Sequence, residues 1–122
     1  MLNEKKIHIV TLGCARNQVD SEVMAGGLKH AGWTLVERPE NANVIVVNTC
    51  SFIESAADES IDTILEVTAK KGKDKLEKVF VVGCLVQRYG YKLQKEIPEV
   101  DGWLGTGQID RIGEFVRDES EH

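Results

Sequence analysis

Three short runs rich in β-branched residues punctuate the chain: Lys6 to Leu12 (KIHIVTL), Asn43 to Val47 (NVIVV) and Lys78 to Val82 (KVFVV). Runs of this length and branching read as strands, and an almost unbroken apolar run such as NVIVV is expected of a strand covered on both faces. Between them, apolar residues recur at helical spacing. Val19, Val23, Met24 and Leu28 predict a helix over Asp20 to Ala31, stopped by Gly32. Ala56, Ile61, Ile64, Leu65 and Thr68 share one stripe of a helix predicted from Ser55 to Lys70. Trp33 to Val36 reads as a short strand. Val86 to Glu96 reads as a helix ended by Pro98, Val100 to Leu104 as a last strand, and Gln108 to Arg117 as a last helix. The segment KKGKDKLEK, Lys70 to Lys78, alternates in charge sign and reads as a solvated connector more than as a basic binding loop.

Strand and helix alternate throughout. The pattern predicts an α/β domain: an open, mostly parallel sheet of about five strands with helices on both faces. A doubly wound, flavodoxin-like strand order of 2-1-3-4-5 suits it.

Composition narrows the functional classes. The chain has 122 residues, 42% hydrophobic and 29% charged, enough for one domain with its own core. A net charge of -5 opposes a sequence-independent grip on nucleic acid, which needs a basic face. No apolar run approaches the ~20 residues of a membrane span. The start, MLNEKKIHIVTLGC, has two lysines before an apolar stretch, and TLGC resembles a lipoprotein cleavage box. Ile7 to Leu12 is nevertheless shorter than the roughly 7–15 residues of a signal core, and it contains His8. A cytoplasmic location is expected.

The chemistry concentrates in three cysteines, Cys14, Cys50 and Cys84. An odd, small number gives no disulfide framework. Each falls just after a predicted strand, hence at that strand's carboxyl end. In a parallel sheet these ends share one edge, where ligands bind near the switch in strand order. In the order 2-1-3-4-5 the strands before the three cysteines are neighbours, ~4.8 Å apart, so their loops can aim three thiols at one point. Gly13 and Gly83 precede two of them, and glycine lets the backbone turn sharply and approach a ligand. A helix begins soon after each cysteine, and its positive end favours thiolate. Three thiolates suit iron–sulfur chemistry or zinc. Zinc wants a fourth ligand, and no fourth Cys or strand-end His offers itself, so a cluster with one open iron fits better. A catalytic thiol lacks a partner: His8 is mid-strand, His30 ends a helix and His122 is the last residue. The plain alternative is three small buried hydrophobes.

The cysteine contexts GCARNQVDSE (Gly13 to Glu22), NTCSFIESAADESIDTILE (Asn48 to Glu66) and GCLVQRYG (Gly83 to Gly90) resemble the three signatures of the N-terminal domain of radical-SAM methylthiotransferases. NTCSFIE, GCLVQRY and IPEVDGWLGTG resemble the ribosomal-protein branch more than the tRNA-modifying branch. The resemblance runs from about Lys6 to Arg111, within a domain spanning 6–117. It implies that Cys14, Cys50 and Cys84 hold an auxiliary 4Fe–4S cluster whose fourth iron is open to sulfur species. It implies an enzyme that methylthiolates the β-carbon of an aspartate in a small-subunit ribosomal protein, with S-adenosylmethionine as methyl donor and radical source. The family's CxxxCxxC triplet for a second 4Fe–4S cluster is missing here, as are its radical-SAM barrel and its C-terminal RNA-binding-like module. As it stands, the chain is expected to carry the auxiliary cluster, to work with its own radical-SAM domain, and to be inactive alone.

Asn17, Asp20, Asn48 and Gln87 match motif positions and are candidates to support the cluster from behind its ligands. For Asn17 and Asp20 the bland reading is helix capping; Asn48 instead suits tying neighbouring loops together. Arg16 and Arg88 lie near the site in sequence and could offset its charge. GWLGTG, Gly102 to Gly107, is not a dinucleotide fingerprint and reads as a turn. Ser55 reads as a helix cap. An exposed apolar patch near the cysteine edge is the expected docking place for the missing barrel. Two other readings stand beside this one: the same domain of a tRNA methylthiotransferase, and a non-enzymatic flavodoxin-like module with structural cysteines.

Overall fold

A computed structural model describes residues 6–12, 15–49, 54–72, 76–83, 86, 92–105 and 112, with the backbone alone described at 15–17, 20 and 54–58. Five strands form one sheet: β1 (Lys6–Thr11), β2 (Thr34–Leu35), β3 (Val44–Thr49), β4 (Lys78–Gly83) and β5 (Gly102–Leu104). Their order is β2-β1-β3-β4-β5, and every pairing is parallel. The α/β class and the strand order are those expected. Helix α1 (Ala15–His30) links β1 to β2, and helix α2 (Glu54–Thr68) lies between β3 and β4.

β3 and β4 are apolar over most of their length because both their faces are covered, whereas β1 buries only Ile7 fully. Successive side chains of a strand point to opposite faces. Val44 and Val46 of β3 and Phe80 and Val82 of β4 join Met24 and Leu28 of α1 in one core, with Ile7, Trp33 and Ile112. Ile45 and Val47, with Val79 and Val81, join Ile64 and Val67 of α2 in the other, together with Leu93, Ile97 and Val100. Residues 92–96 are helical, within the helix expected over 86–96. Of the last expected helix, 108–117, only Ile112 is described; it is helical and fully buried.

α1 ends in a Schellman motif. The Trp33 N–H donates to the Leu28 carbonyl at 2.9 Å and the Gly32 N–H to the Lys29 carbonyl at 3.1 Å. Gly32 takes φ +100°, the left-handed conformation that this cap demands. Leu28 and Trp33, the apolar pair that accompanies the motif, share one core. Gly32 stops this helix, as expected, because the cap needs its positive φ.

Several expectations are corrected. α1 begins at Ala15, five residues before the predicted start, because Ala15, Arg16 and Gln18 are good helix formers that apolar periodicity ignores. Val19 and Val23 are 57% and 51% exposed, not core residues. At 3.6 residues per turn Val19 stands roughly 140° around the helix from Met24, so Met24 and Leu28 define a different face. Leu65, 46% exposed, is likewise roughly 140° from buried Ser60, whereas Ile64, Val67 and Thr68 face the sheet. GWL is strand β5, in register with Phe80, Val81 and Val82 and within the strand expected over 100–104, so the turn reading of GWLGTG fails for its first three residues. The 70–78 connector is tied down at both ends. Lys71 Nζ lies 2.9 Å and Lys78 Nζ 3.9 Å from the Asp101 carboxylate, and Leu76 is buried.

Candidate functional site

The sheet's carboxyl edge is built where the order switches, with α1 leaving β1 toward β2 and β3 lying on β1's other side. Here the ends of β1, β3 and β4 come level. Thr11 pairs with Asn48, Asn48 with Val82, and Thr49 with Gly83. The Leu12 N–H extends the β1–β3 ladder by donating to the Asn48 carbonyl at 3.0 Å. Cys50 and Cys84 are the next residues in sequence after the register pair Thr49 and Gly83, and Cys14 lies between the end of β1 and the start of α1. The cysteines themselves, and Gln87 and Arg88, lie outside the described residues. Among the described residues no group of three His, Cys, Asp or Glu side chains could hold a metal ion.

The described side chains at this edge form a compact polar knot. Asn48 is 1% exposed and donates from Nδ2 to Ser21 Oγ at 3.0 Å. Ser21 Oγ and Thr11 Oγ1 share a hydrogen bond of 2.6 Å. Thr49, fully buried, donates from Oγ1 to the Val82 carbonyl at 2.7 Å, pinning β3 to β4. Gly83 closes the arrangement. Its φ is +107°, and a Cβ built on it would stand 2.7 Å from the Thr49 carbonyl oxygen and 2.9 Å from Asn48 Oδ1. Only glycine allows β4 to come this close to β3 in this conformation.

Among the other sequence candidates, Asn17 and Asp20 stand inside α1, in its first two turns, so neither occupies the N-cap; Ser55 similarly stands inside α2, which begins at Glu54. Asn48 does tie elements together, linking β3 to α1. His8 is structural: its Nδ1 donates to the Val36 carbonyl at 2.9 Å, joining β1 to the segment after β2. Thr11, Ser21 and Thr49 carry no role in the sequence reading. Ser21 had a legible signal, since it shares the line of Met24 and Leu28 on α1, where a polar residue needs a partner.

Among the described residues no helix is long and apolar enough to cross a membrane. The sequence matches uncharacterized protein family UPF0004 over residues 6–105. It is 50% identical over 116 residues to the ribosomal protein uS12 methylthiotransferase RimO of Myxococcus xanthus (strain DK1622), covering 95% of this chain and 24% of that protein. The protein of the same name from Koribacter versatilis (strain Ellin345) is 52% identical over 108 residues, covering 88% of this chain and 21% of its own length. The one from Streptomyces avermitilis is 46% identical over 117 residues, covering 96% and 24%. The chain thus spans about a quarter of the length of the curated relatives it matches. With a match that takes in β1 through β5 and the whole polar edge, the chain belongs to the UPF0004 family.

Proposed function

We propose that this chain is the N-terminal, cluster-bearing domain of a cytoplasmic methylthiotransferase that modifies an aspartate of a small-subunit ribosomal protein, uS12 in the relatives' names. One observation carries the reading: β1, β3 and β4 are adjacent, parallel and level at the edge where Cys14, Cys50 and Cys84 follow in sequence. The donor set suits an iron–sulfur cluster, three soft thiolates being short of zinc's usual four. Cys14, Cys50 and Cys84 would hold it. Bound there, a 4Fe–4S cluster with one open iron supplies a site for sulfur species destined for the substrate.

The chain's own residues have a separate task. The Thr49–Val82 and Leu12–Asn48 hydrogen bonds hold three strand ends level. Gly83 lets β4 pack against Asn48 and Thr49 at the end of β3. Asn48 and Ser21 anchor that edge to α1. S-adenosylmethionine, a second cluster and the substrate belong to the radical-SAM domain with which this one works.

Anaerobic reconstitution with iron and sulfide tests the reading, with Cys14→Ala, Cys50→Ala and Cys84→Ala in parallel. About four irons per chain, as a cubane requires, together with loss of the visible absorption in each variant, supports one three-cysteine site. Unchanged iron content in the single variants refutes it and leaves the thiols as core residues.

A further inference from the structure

Three candidates stand out beyond the cysteines. The exposed valines of α1 have nothing beside them that says what covers them. The Lys71–Asp101–Lys78 group closes on itself as a structural tie. The Thr11–Ser21–Asn48 hydrogen-bond chain goes further, because it joins the segments that lead to Cys14 and Cys50 and lies against the one that leads to Cys84.

We propose that Ser21 is a positioning residue for the metal site, acting through Asn48. The inference rests on the cluster reading above and adds a residue to it. Thr11 ends the strand before Cys14, and Ser21 sits on the helix after it. Asn48 precedes Cys50 by two residues and is fixed by Ser21 at 3.0 Å. Asn48 Oδ1 in turn faces the Cα of Gly83, the residue before Cys84, closely enough that a Cβ there would meet it at 2.9 Å. A single hydroxyl therefore connects both chain segments around Cys14 to the approach to Cys50, and through Asn48 to the approach to Cys84.

The alternative at position 21 would have been cheap. Ser21 continues the line of Met24 and Leu28, where an apolar residue would simply extend the core. A serine there instead supplies the acceptor for a nearly fully buried amide, and hydrogen-bonded polar groups of this kind select one arrangement among several of similar packing. Without Oγ, the Asn48 amide loses its acceptor on α1, and α1 loses its side-chain ties to the ends of β1 and β3. The expected consequence is a ligand set that has to be organised at the moment of binding, and so weaker affinity for metal.

The test is anaerobic titration of the metal-free 122-residue chain with cobalt(II), followed by thiolate-to-cobalt charge-transfer absorption. Urea unfolding of the metal-free protein runs alongside to establish that each variant is folded. Ser21→Ala is expected to weaken cobalt affinity about 10-fold, the low end for residues that orient metal ligands. Ser21→Thr, which keeps the hydroxyl, is expected to restore it. Thr11→Val breaks the other leg and is expected to weaken affinity in the same direction. A purely structural serine would lower the urea midpoint and leave the affinity of the folded protein unchanged. Unchanged affinity in folded Ser21→Ala, with cobalt binding still lost in Cys50→Ala, overturns the inference alone. Cobalt binding that persists in Cys50→Ala overturns the cluster reading and the inference together.

Discussion

Replacing Gly83 by alanine separates two effects that usually come together, a costly backbone conformation and a steric clash. Gly83 has φ +107° and Gly32 has φ +100°, so alanine suffers a comparable backbone penalty at either place, about 1–2 kcal/mol. The surroundings differ. A Cβ at Gly32 meets nothing within 4 Å, whereas one at Gly83 stands 2.7 Å from the Thr49 carbonyl oxygen and 3.0 Å from the Thr49 amide nitrogen. Those are backbone atoms in the ladder between β3 and β4 and cannot swing aside. Overpacking of this kind adds about 1–3 kcal/mol. Gly83→Ala is therefore expected to cost about 2–5 kcal/mol and Gly32→Ala about 1–2 kcal/mol. Against a total of about 5–15 kcal/mol for a typical domain, the larger value is a substantial share. Urea unfolding followed by tryptophan fluorescence reads the difference, since Trp33 and Trp103 pack with opposite cores. With m of ~2 kcal/mol/M, the middle of the usual range for urea, the two midpoints should differ by roughly 0.5–1.5 M. Equal midpoints for the two variants at equal m would refute the claim that β4 is held against β3 by the absence of a side chain at Gly83.

Two further outcomes are expected. Asp101 accepts from the Val79 N–H at 2.8 Å and from Lys71 Nζ at 2.9 Å, so Asp101→Ala should lower stability by about 1–3 kcal/mol in urea unfolding, whereas Asp101→Asn keeps an acceptor and should lose about 0–1 kcal/mol; equal losses would mean that the ion pair, not the strand hydrogen bond, matters. Met24→Ala should cost about 2–5 kcal/mol and Val23→Ser no more than about 0.5 kcal/mol by the same assay, and a reversal would place the α1 core on the wrong face.

Much of the frame was legible because the strands are buried on both sides. VIVV and VFVV admit few readings other than central parallel strands, and the alternation of strand and helix then narrows the sheet order. Gly32 was legible as a stop because a Schellman cap needs a residue without Cβ. The helix faces were not. Picking apolar letters at helical spacing merged Val19 and Val23 with Met24 and Leu28, although they lie on different sides of one cylinder. Exposed valines leave no mark in a sequence that distinguishes them from buried ones. At the site, the shared edge of three strand ends followed from topology. The knot of Thr11, Ser21 and Asn48 did not, because it depends on register: a slip of one residue between β1 and β3 would send Asn48 to the opposite face. Asn48 could be suspected of tying elements together, but its partner could not be named.

The central place of β3 has a consequence for how the chain folds. Only the short β1–β2 pairing is open to the chain before β3; the β1–β3 pairing brings Ile7 to Val44 and the β3–β4 pairing brings Val44 to Lys78. Each of the last two pairings closes a loop of roughly 35 residues, for which the length-dependent entropy alone costs about 3 kcal/mol before any contact compensates. α1 can pack early against Ile7 and Trp33, but Val44, Val46, Phe80 and Val82, which complete its core, and the sheet face that buries α2 come only with that closure. Early pairing between sequence neighbours, which speeds helical bundles and hairpins, is therefore denied to the sheet's centre, and folding slower than that of a helical bundle of equal length is expected. The level edge of Thr11, Asn48, Thr49 and Gly83 is in this sense a late product: no partly folded form lacking β4 can possess it, and a chain still in synthesis acquires it only after residue 83 has emerged.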